Sequence, residues 1–308
     1  MAPSFLSVAN LYTAFLRRCF DQAGLAQQAL DVDDQTTIHF WAPKIKDATK
    51  PNLVFVHGFG PVAIWQWRQQ VQHMAPYFNV YVPDLIFFGE STTTSPERSE
   101  VFQAESVAKL LAKLSVDKYS LVGTSYGGFV SYHLARAHPD KVEKVVIASS
   151  GINMRKRDNE ELTKRANLDT VSDLMLPQTA PQLRALLGLA AFRKLRGVPD
   201  FVFNDFIRKL YAENRDRKLE LLKGLTLGQN DSVNISPLEQ QDVLVIWGDK
   251  DQIFPLNMAY ELKGLLGKDV KLEIIKNASH VPQIERAQQF NNILKNFLLG
   301  SSSSQSSL

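Results

Sequence analysis

Ser120-Leu121-Val122-Gly123-Thr124-Ser125-Tyr126-Gly127-Gly128 decides how the rest of this 308-residue chain is read. Ser120 to Val122 is a short apolar run suited to a buried strand, and the pattern after it, through Phe129, Val130 and Leu134, is helical. Between them Gly-x-Ser-x-Gly places a serine in the tight turn from strand to helix, the setting of a nucleophile elbow. The glycines follow from crowding, since side chains two residues either side of the serine would collide with the neighbouring strand and helix.

Similar apolar runs recur outward from this point. Leu53–Val56, Val80–Val82, Val145–Ala148, Val243–Trp247 and Val270–Ile275 read as strands buried on both faces of a parallel sheet. Val101–Leu114, Gly127–Ala137, Pro255–Leu266 and Pro282–Leu298 read as the helices between them. The alternation predicts an α/β fold, a mostly parallel twisted sheet flanked by helices. From Gly151 to Ser236 the rhythm stops, and Glu160–Ala166, Gln182–Phe192 and Asp200–Leu210 carry helical periodicity instead. This stretch reads as a helical cap inserted over the site. It holds 15 Lys and Arg against 11 Asp and Glu, so the whole positive excess of the chain, +3, lies within it. Leu186, Leu187, Leu189 and Phe192 are read either as packing between its helices or as the lining of an acyl pocket.

A serine hydroxyl needs a base to take its proton and a third group to orient that base. Of six histidines, His39, His57, His73, His133, His138 and His280, only His280 follows a plausible acid beyond Ser125. It stands in the loop between the strand Val270–Ile275 and a helix. The acid is expected at the end of Val243–Trp247, where Gly248-Asp249-Lys250-Asp251 offers two carboxylates. Asp251 lies deeper in the loop and is the choice, leaving Asp249 to hold the turn or pair with Lys250. Charge on a tetrahedral intermediate requires backbone donors, expected from the amides of Tyr126 and of Phe59 in His57-Gly58-Phe59-Gly60-Pro61. His57 itself is read as bracing that loop.

His57-Gly58-Phe59-Gly60, Pro83-Asp84-Leu85-Ile86-Phe87-Phe88-Gly89-Glu90-Ser91, the elbow, WGDKDQIFP (247–255) and ASHVPQIERAQQFNNIL (278–294) together resemble the α/β-hydrolase superfamily, in the style of its lipase, esterase and carbon–carbon bond hydrolase members. The wording of 83–91 is similar to a group of plant α/β-hydrolases. The resemblance covers about 53–150 and 243–298, and leaves the cap unassigned. It implies an α/β-hydrolase fold with Ser125 as nucleophile, Asp251 as acid, His280 as base, and Phe59 and Tyr126 as oxyanion donors. Epoxide hydrolases and dehalogenases of this type would place Asp at the elbow, where this chain has Ser125. Dienoate carbon–carbon hydrolases usually carry HGxGPG, whose last glycine is Val62 here.

Composition excludes other classes. With 44% hydrophobic and 22% charged residues the chain is an ordinary globular one, and its small net charge gives no case for nucleic acid. A single cysteine, Cys19, rules out an internal disulfide, and no Cys/His spacing suggests a metal. No run is long enough to span a membrane, so a soluble, cytoplasmic protein is expected. In the first twenty residues the arginines follow the apolar stretch, unlike a secretory signal. Leu11, Phe15, Leu16 and Phe20 are read as one face of a helix packed on the body, with peripheral contact at a membrane surface and a transit peptide as the other readings. The expected layout is an N-terminal helix within 1–30, core at 31–150 and 237–299, cap at 151–236, and a disordered tail at 300–308. The Asn-x-Ser triplets at 230, 234 and 277 read as accidental.

The functional expectation is a cofactor-independent serine hydrolase of carboxylic esters with a small-molecule ester or acyl-lipid substrate, an acylglycerol for example. A ligand-binding receptor on the same fold and a carbon–carbon bond hydrolase are the alternatives. Oligomeric state is left open.

Overall fold

The β-branched runs become the middle of one mixed sheet in the computed structural model, which describes residues 7–194 and 197–300. Its strands are β1 (Leu25–Asp31), β2 (Thr36–Pro43), β3 (Asn52–Val56), β4 (Asn79–Pro83), β5 (Thr92–Thr93), β6 (Tyr119–Thr124), β7 (Val142–Ala148), β8 (Asp242–Gly248) and β9 (Lys271–Ile275). They run in the order β1-β2-β4-β3-β6-β7-β8-β9, with the short β5 paired to β2. β1, β2 and β4 pair antiparallel, and every pairing from β4 through β9 is parallel.

Alternating side chains send two cores to opposite faces. On one face Val54, Val56, Leu121, Val145 and Val245 pack beneath α3 (Glu100–Lys113), α4 (Tyr126–Ala137) and α10 (Leu256–Leu266). On the other, Leu53, Phe55, Val122, Val146 and Ile246 pack against α1 (Val8–Gln22), α2 (Ala63–Met74) and α12 (Ala287–Leu299).

The edge hairpin β1–β2 and the helix α2 are additions to the sequence reading. β1 is only half buried and carries Gln27 and Gln28, while α2 buries Gln70 beside Trp67 and Val71, so neither shows a clean apolar period. Pro282–Leu298 is not one helix. A short α11 (Pro282–Glu285) ends at Arg286, whose backbone leaves the helical region before α12 begins.

The helix in 1–30 is present as α1, with Ser7 capping it, and β1 begins within the same segment and ends at Asp31. Its four apolar residues do not share one fate. Leu16 and Phe20 are buried with Ala9 and Cys19, whereas Leu11 and Phe15 are 65% and 48% exposed. At about 100° per residue the pairs 11/15 and 16/20 lie on nearly opposite sides of the helix, and the body covers only the second. Of the expected tail, 301–308 lies outside the described residues.

Between β7 and β8 the described residues form helices and no strand: α5 (Lys156–Ala166), α6 (Val171–Met175), α7 (Ala180–Ala190), α8 (Asp200–Phe206), a π turn Ile207–Tyr211 continuing α8, and α9 (Arg215–Lys223). They share an apolar cluster of their own, including Leu162, Leu174, Leu183, Leu189, Phe203 and Tyr211, which meets the core at Ile253. No described helix is long and apolar enough to cross a membrane.

Candidate active site

β6 delivers Ser125 to the carboxyl edge of the sheet. Its φ of 52° and ψ of −123° are strained for a residue with a side chain, and its amide donates to the carbonyl of Ala148 at 3.0 Å. The elbow can form only with glycine on both sides. A Cβ on Gly123 would stand 2.2 Å from the Gly127 carbonyl, and one on Gly127 would stand 2.2 Å from the Val56 carbonyl. Ser150 Oγ then donates to the Ser125 carbonyl at 2.6 Å, fixing the turn from the β7 side.

His280 arrives from the loop between β9 and α11. Its Nε2 lies 2.9 Å from Ser125 Oγ and its Nδ1 3.0 Å from Asp251 Oδ2. The second carboxylate oxygen of Asp251 accepts the amides of Ile253 at 2.9 Å and Phe254 at 3.0 Å. Held from behind, that carboxylate orients the imidazole and favours the tautomer with its proton on Nδ1, which leaves Nε2 free to accept from the serine. Asp249 instead accepts the Asn277 amide at 2.7 Å and lies 3.5 Å from Lys250 Nζ, the turn-holding role read from its position.

Phe59 and Tyr126 flank the serine, their rings 5.7 Å apart and edge to face. Among the described residues, the backbone amide of neither donates to another group. His57 does not reach Ser125. Its Nε2 accepts the Leu85 amide at 2.9 Å and its Nδ1 donates to the Gly58 carbonyl at 2.8 Å. Complete burial pushes this imidazole down to about 4, so it is a neutral brace at ordinary pH. Asp84, from the stretch after β4, accepts the Ala63 amide at 2.8 Å and so caps α2; burial raises its carboxyl to about 7.

Three contributors, Gln66, Glu285 and Ser279, had no role assigned from the sequence; Gln66 lies outside the quoted motifs and the other two within the 278–294 motif. Gln66 of α2 accepts the Gly58 amide at 2.8 Å and donates to the carbonyls of Gly58 at 3.0 Å and Pro61 at 2.6 Å, bracing the loop that carries Phe59. Glu285, five residues after His280, accepts the Ser279 amide at 2.7 Å and, with its other oxygen, the Phe192 amide at 2.8 Å. Ser279 Oγ donates to the Leu189 carbonyl at 2.8 Å, and the His280 amide to the Ala190 carbonyl at 3.1 Å. The open C-terminal carbonyls of α7 are thus satisfied by the loop that carries His280, tying the inserted helices to the core.

Above Ser125 lies a cavity of about 530 Å³ walled by Phe59, Trp65, Leu186, Leu187, Tyr211 and Ile253, among others. A smaller cleft of about 60 Å³ opens on its other side between Phe129, Met154, Leu162, Leu222 and Phe254. Leu186 and Leu187 line the large cavity, Leu189 packs inside the helical cluster, and Phe192 is exposed. The described residues contain no cluster of three His, Cys, Asp or Glu suited to a metal ion.

A model of the alpha/beta hydrolase fold family matches residues 51–287. The chain belongs to the α/β-hydrolase family. Among its relatives is a 2-hydroxymuconate semialdehyde hydrolase of Pseudomonas sp. (strain CF600), 28% identical over 80% of this chain and 86% of that protein. A monoacylglycerol lipase, abhd6-B of Xenopus laevis, is 25% identical over 82% of this chain and 77% of that protein. In three dimensions this α/β-hydrolase is similar to a membrane phospholipase A described as a bacterial virulence factor. The TM-score is 0.76 at 22% identity, over 94% of this chain and 91% of that one. Against the 2-hydroxy-6-oxo-6-phenylhexa-2,4-dienoate hydrolase of Rhodococcus sp. strain RHA1 the TM-score is 0.73 at 23% identity, over 89% and 98%. These likenesses establish the fold.

Proposed function

We propose that this α/β-hydrolase cleaves carboxylic esters of the acylglycerol or acyl-lipid type through an acyl-enzyme on Ser125. The observation that carries the reading is the unbroken chain Ser125 Oγ, His280, Asp251 beneath an apolar cavity. His280 Nε2 takes the hydroxyl proton as Ser125 attacks the ester carbonyl, and Asp251 stabilises the imidazolium that results. The amides of Phe59 and Tyr126 receive the developing oxyanion. His280 then protonates the leaving alcohol, and a water activated by the same nitrogen hydrolyses the acyl-enzyme, restoring Ser125. In this reading 151–236 acts as a cap over a core made of 31–150 and 237–299, and its leucines select the acyl chain.

Ser125→Ala is expected to reduce hydrolysis of p-nitrophenyl butyrate to the buffer rate with an unchanged circular dichroism spectrum. Activity retained in that variant overturns the mechanism. Carbon–carbon bond hydrolysis is the second reading, favoured by the 28% identity to the semialdehyde hydrolase. Turnover of a ring-cleavage dienoate faster than of any ester in a graded series would decide for it.

A further inference from the structure

We infer that the outer face of α1, together with the start of α8, docks on an anionic phospholipid surface. Around α1 the apolar residues extend well past the stripe the core needs: Val8, Leu11, Tyr12 and Phe15 are 42%, 65%, 39% and 48% exposed, and they fall on one side of the helix. Asp205 of α8 accepts from Ser7 Oγ at 2.8 Å and from the Ala9 amide at 3.0 Å, joining α8 to the start of α1. One turn earlier on α8, Phe201 is 68% exposed. Large apolar side chains gathered in this way on a soluble surface mark an interaction site, and an amphipathic helix of this build suits the boundary between headgroups and acyl chains.

Charge chooses the occupant. Arg18 is exposed and lies two turns beyond Leu11 on the same side of the helix, and the Arg68 guanidinium lies 5.7 Å from the centre of the Phe15 ring. Arg17 bonds the neutral Gln27, and Lys209 is exposed beyond α8. The carboxylates nearby are engaged: Asp21 with Lys44 at 2.6 Å, Asp205 with Arg208 at 2.8 Å, and Asp200 with Arg184. In a two-fold pairing of this face with a second copy, the arginines would meet their own kind, whereas anionic headgroups complement them.

The face also backs onto the cavity. Tyr12 packs edge-on against Trp65 at 4.9 Å, Phe206 does so from α8 at 5.6 Å, and Trp65 Nε1 donates to Thr13 Oγ1 at 3.2 Å. Trp65 is itself part of the cavity wall. A docked protein would hold that wall at the surface from which an acyl-lipid substrate leaves the bilayer. The choice of a lipid occupant deepens the proposed function and rests on it in that respect.

Flotation of the full chain with phosphatidylcholine vesicles, with and without one-third phosphatidylserine, tests the inference. Wild-type protein is expected to float with the anionic vesicles and to be partly released by salt. The double variant Leu11→Ser/Phe15→Ser should lose bound fraction on the order of tenfold. Phe201→Ser, on a different helix, should lose it in the same direction. Both should hydrolyse soluble p-nitrophenyl butyrate as wild type does, so a failure of docking and a failure of the esterase reading are read separately. Wild-type protein that stays unbound, or variants that float undiminished, overturn the inference. So does a dimer in sedimentation experiments that the double variant abolishes, since a second copy would then cover the face.

Discussion

The sheet core and the helices inserted between β7 and β8 are built differently, and the difference divides the labour of the site. Core strands are apolar on both faces, and their ends hold Ser125, Asp251 and the Phe59 loop through backbone bonds and side-chain braces, the half-buried Gln66 and the buried His57. The inserted helices share one modest cluster and meet the loops of the site through polar ties such as those of Glu285 and Ser279 with the end of α7 and of Arg165 with the Gln252 carbonyl. Their ion pairs, such as Arg184 with Asp200 and Arg217 with Glu220, are substantially exposed and contribute little to stability. In the proposed function the atoms that must be fixed to a fraction of an ångström sit on the core, and the apolar surfaces that would choose among ligands sit on the inserted helices.

The comparison can be broken first at the acid. Asp251→Asn keeps the shape but offers the wrong partner to Nδ1, and kcat for a soluble ester should fall by roughly 10⁴-fold. The same change at Asp249, which holds a turn, should leave kcat near wild type. Equal losses in steady-state kinetics would mean that the carboxylate roles are assigned wrongly.

A second effect concerns pH. His57, pushed from 6.5 to about 4 by burial, stays neutral in the folded protein where the unfolded chain takes up a proton. Its contribution is therefore complete above 6.5 and declines as pH falls toward 4, by as much as about 3 kcal/mol. Asp84, raised from 3.8 to about 7, works in the opposite direction, favouring the fold at low pH and losing that advantage as pH rises through the same window. The opposing slopes partly cancel in the wild type. His57→Gln should unmask the Asp84 slope, making the variant gain stability relative to wild type as pH falls from about 6.5 to about 4 in denaturant titrations. An unchanged pH difference would show that His57 is not held neutral.

The smallest effect belongs to the inserted helices. Leu187→Ala removes part of the large cavity's wall, so KM for a long-chain ester should rise by roughly fivefold while kcat for an acetate ester holds. A fall in kcat for both substrates would place Leu187 in the positioning machinery and blur the division.

Much of the core and of the candidate site was legible because both rest on local chemistry. Buried parallel strands read as β-branched runs, the elbow requires its two glycines, and the loops carrying Asp251 and His280 each follow such a run. What escaped depends on tertiary context. β1 carries half-buried and exposed glutamines among its apolar residues, α2 buries Gln70, and α1 carries more apolar surface than the body covers, so periodicity alone merged two faces into one. Glu285 and Gln66 act by meeting backbone amides of distant segments, a role that composition and spacing do not encode.

The most direct test of the central claim is mass spectrometry of the folded protein after reaction with a fluorophosphonate. A single adduct is expected on the peptide containing Ser125, absent in His280→Ala. An intact, folded protein that forms no adduct, or forms one on another serine, would contradict it.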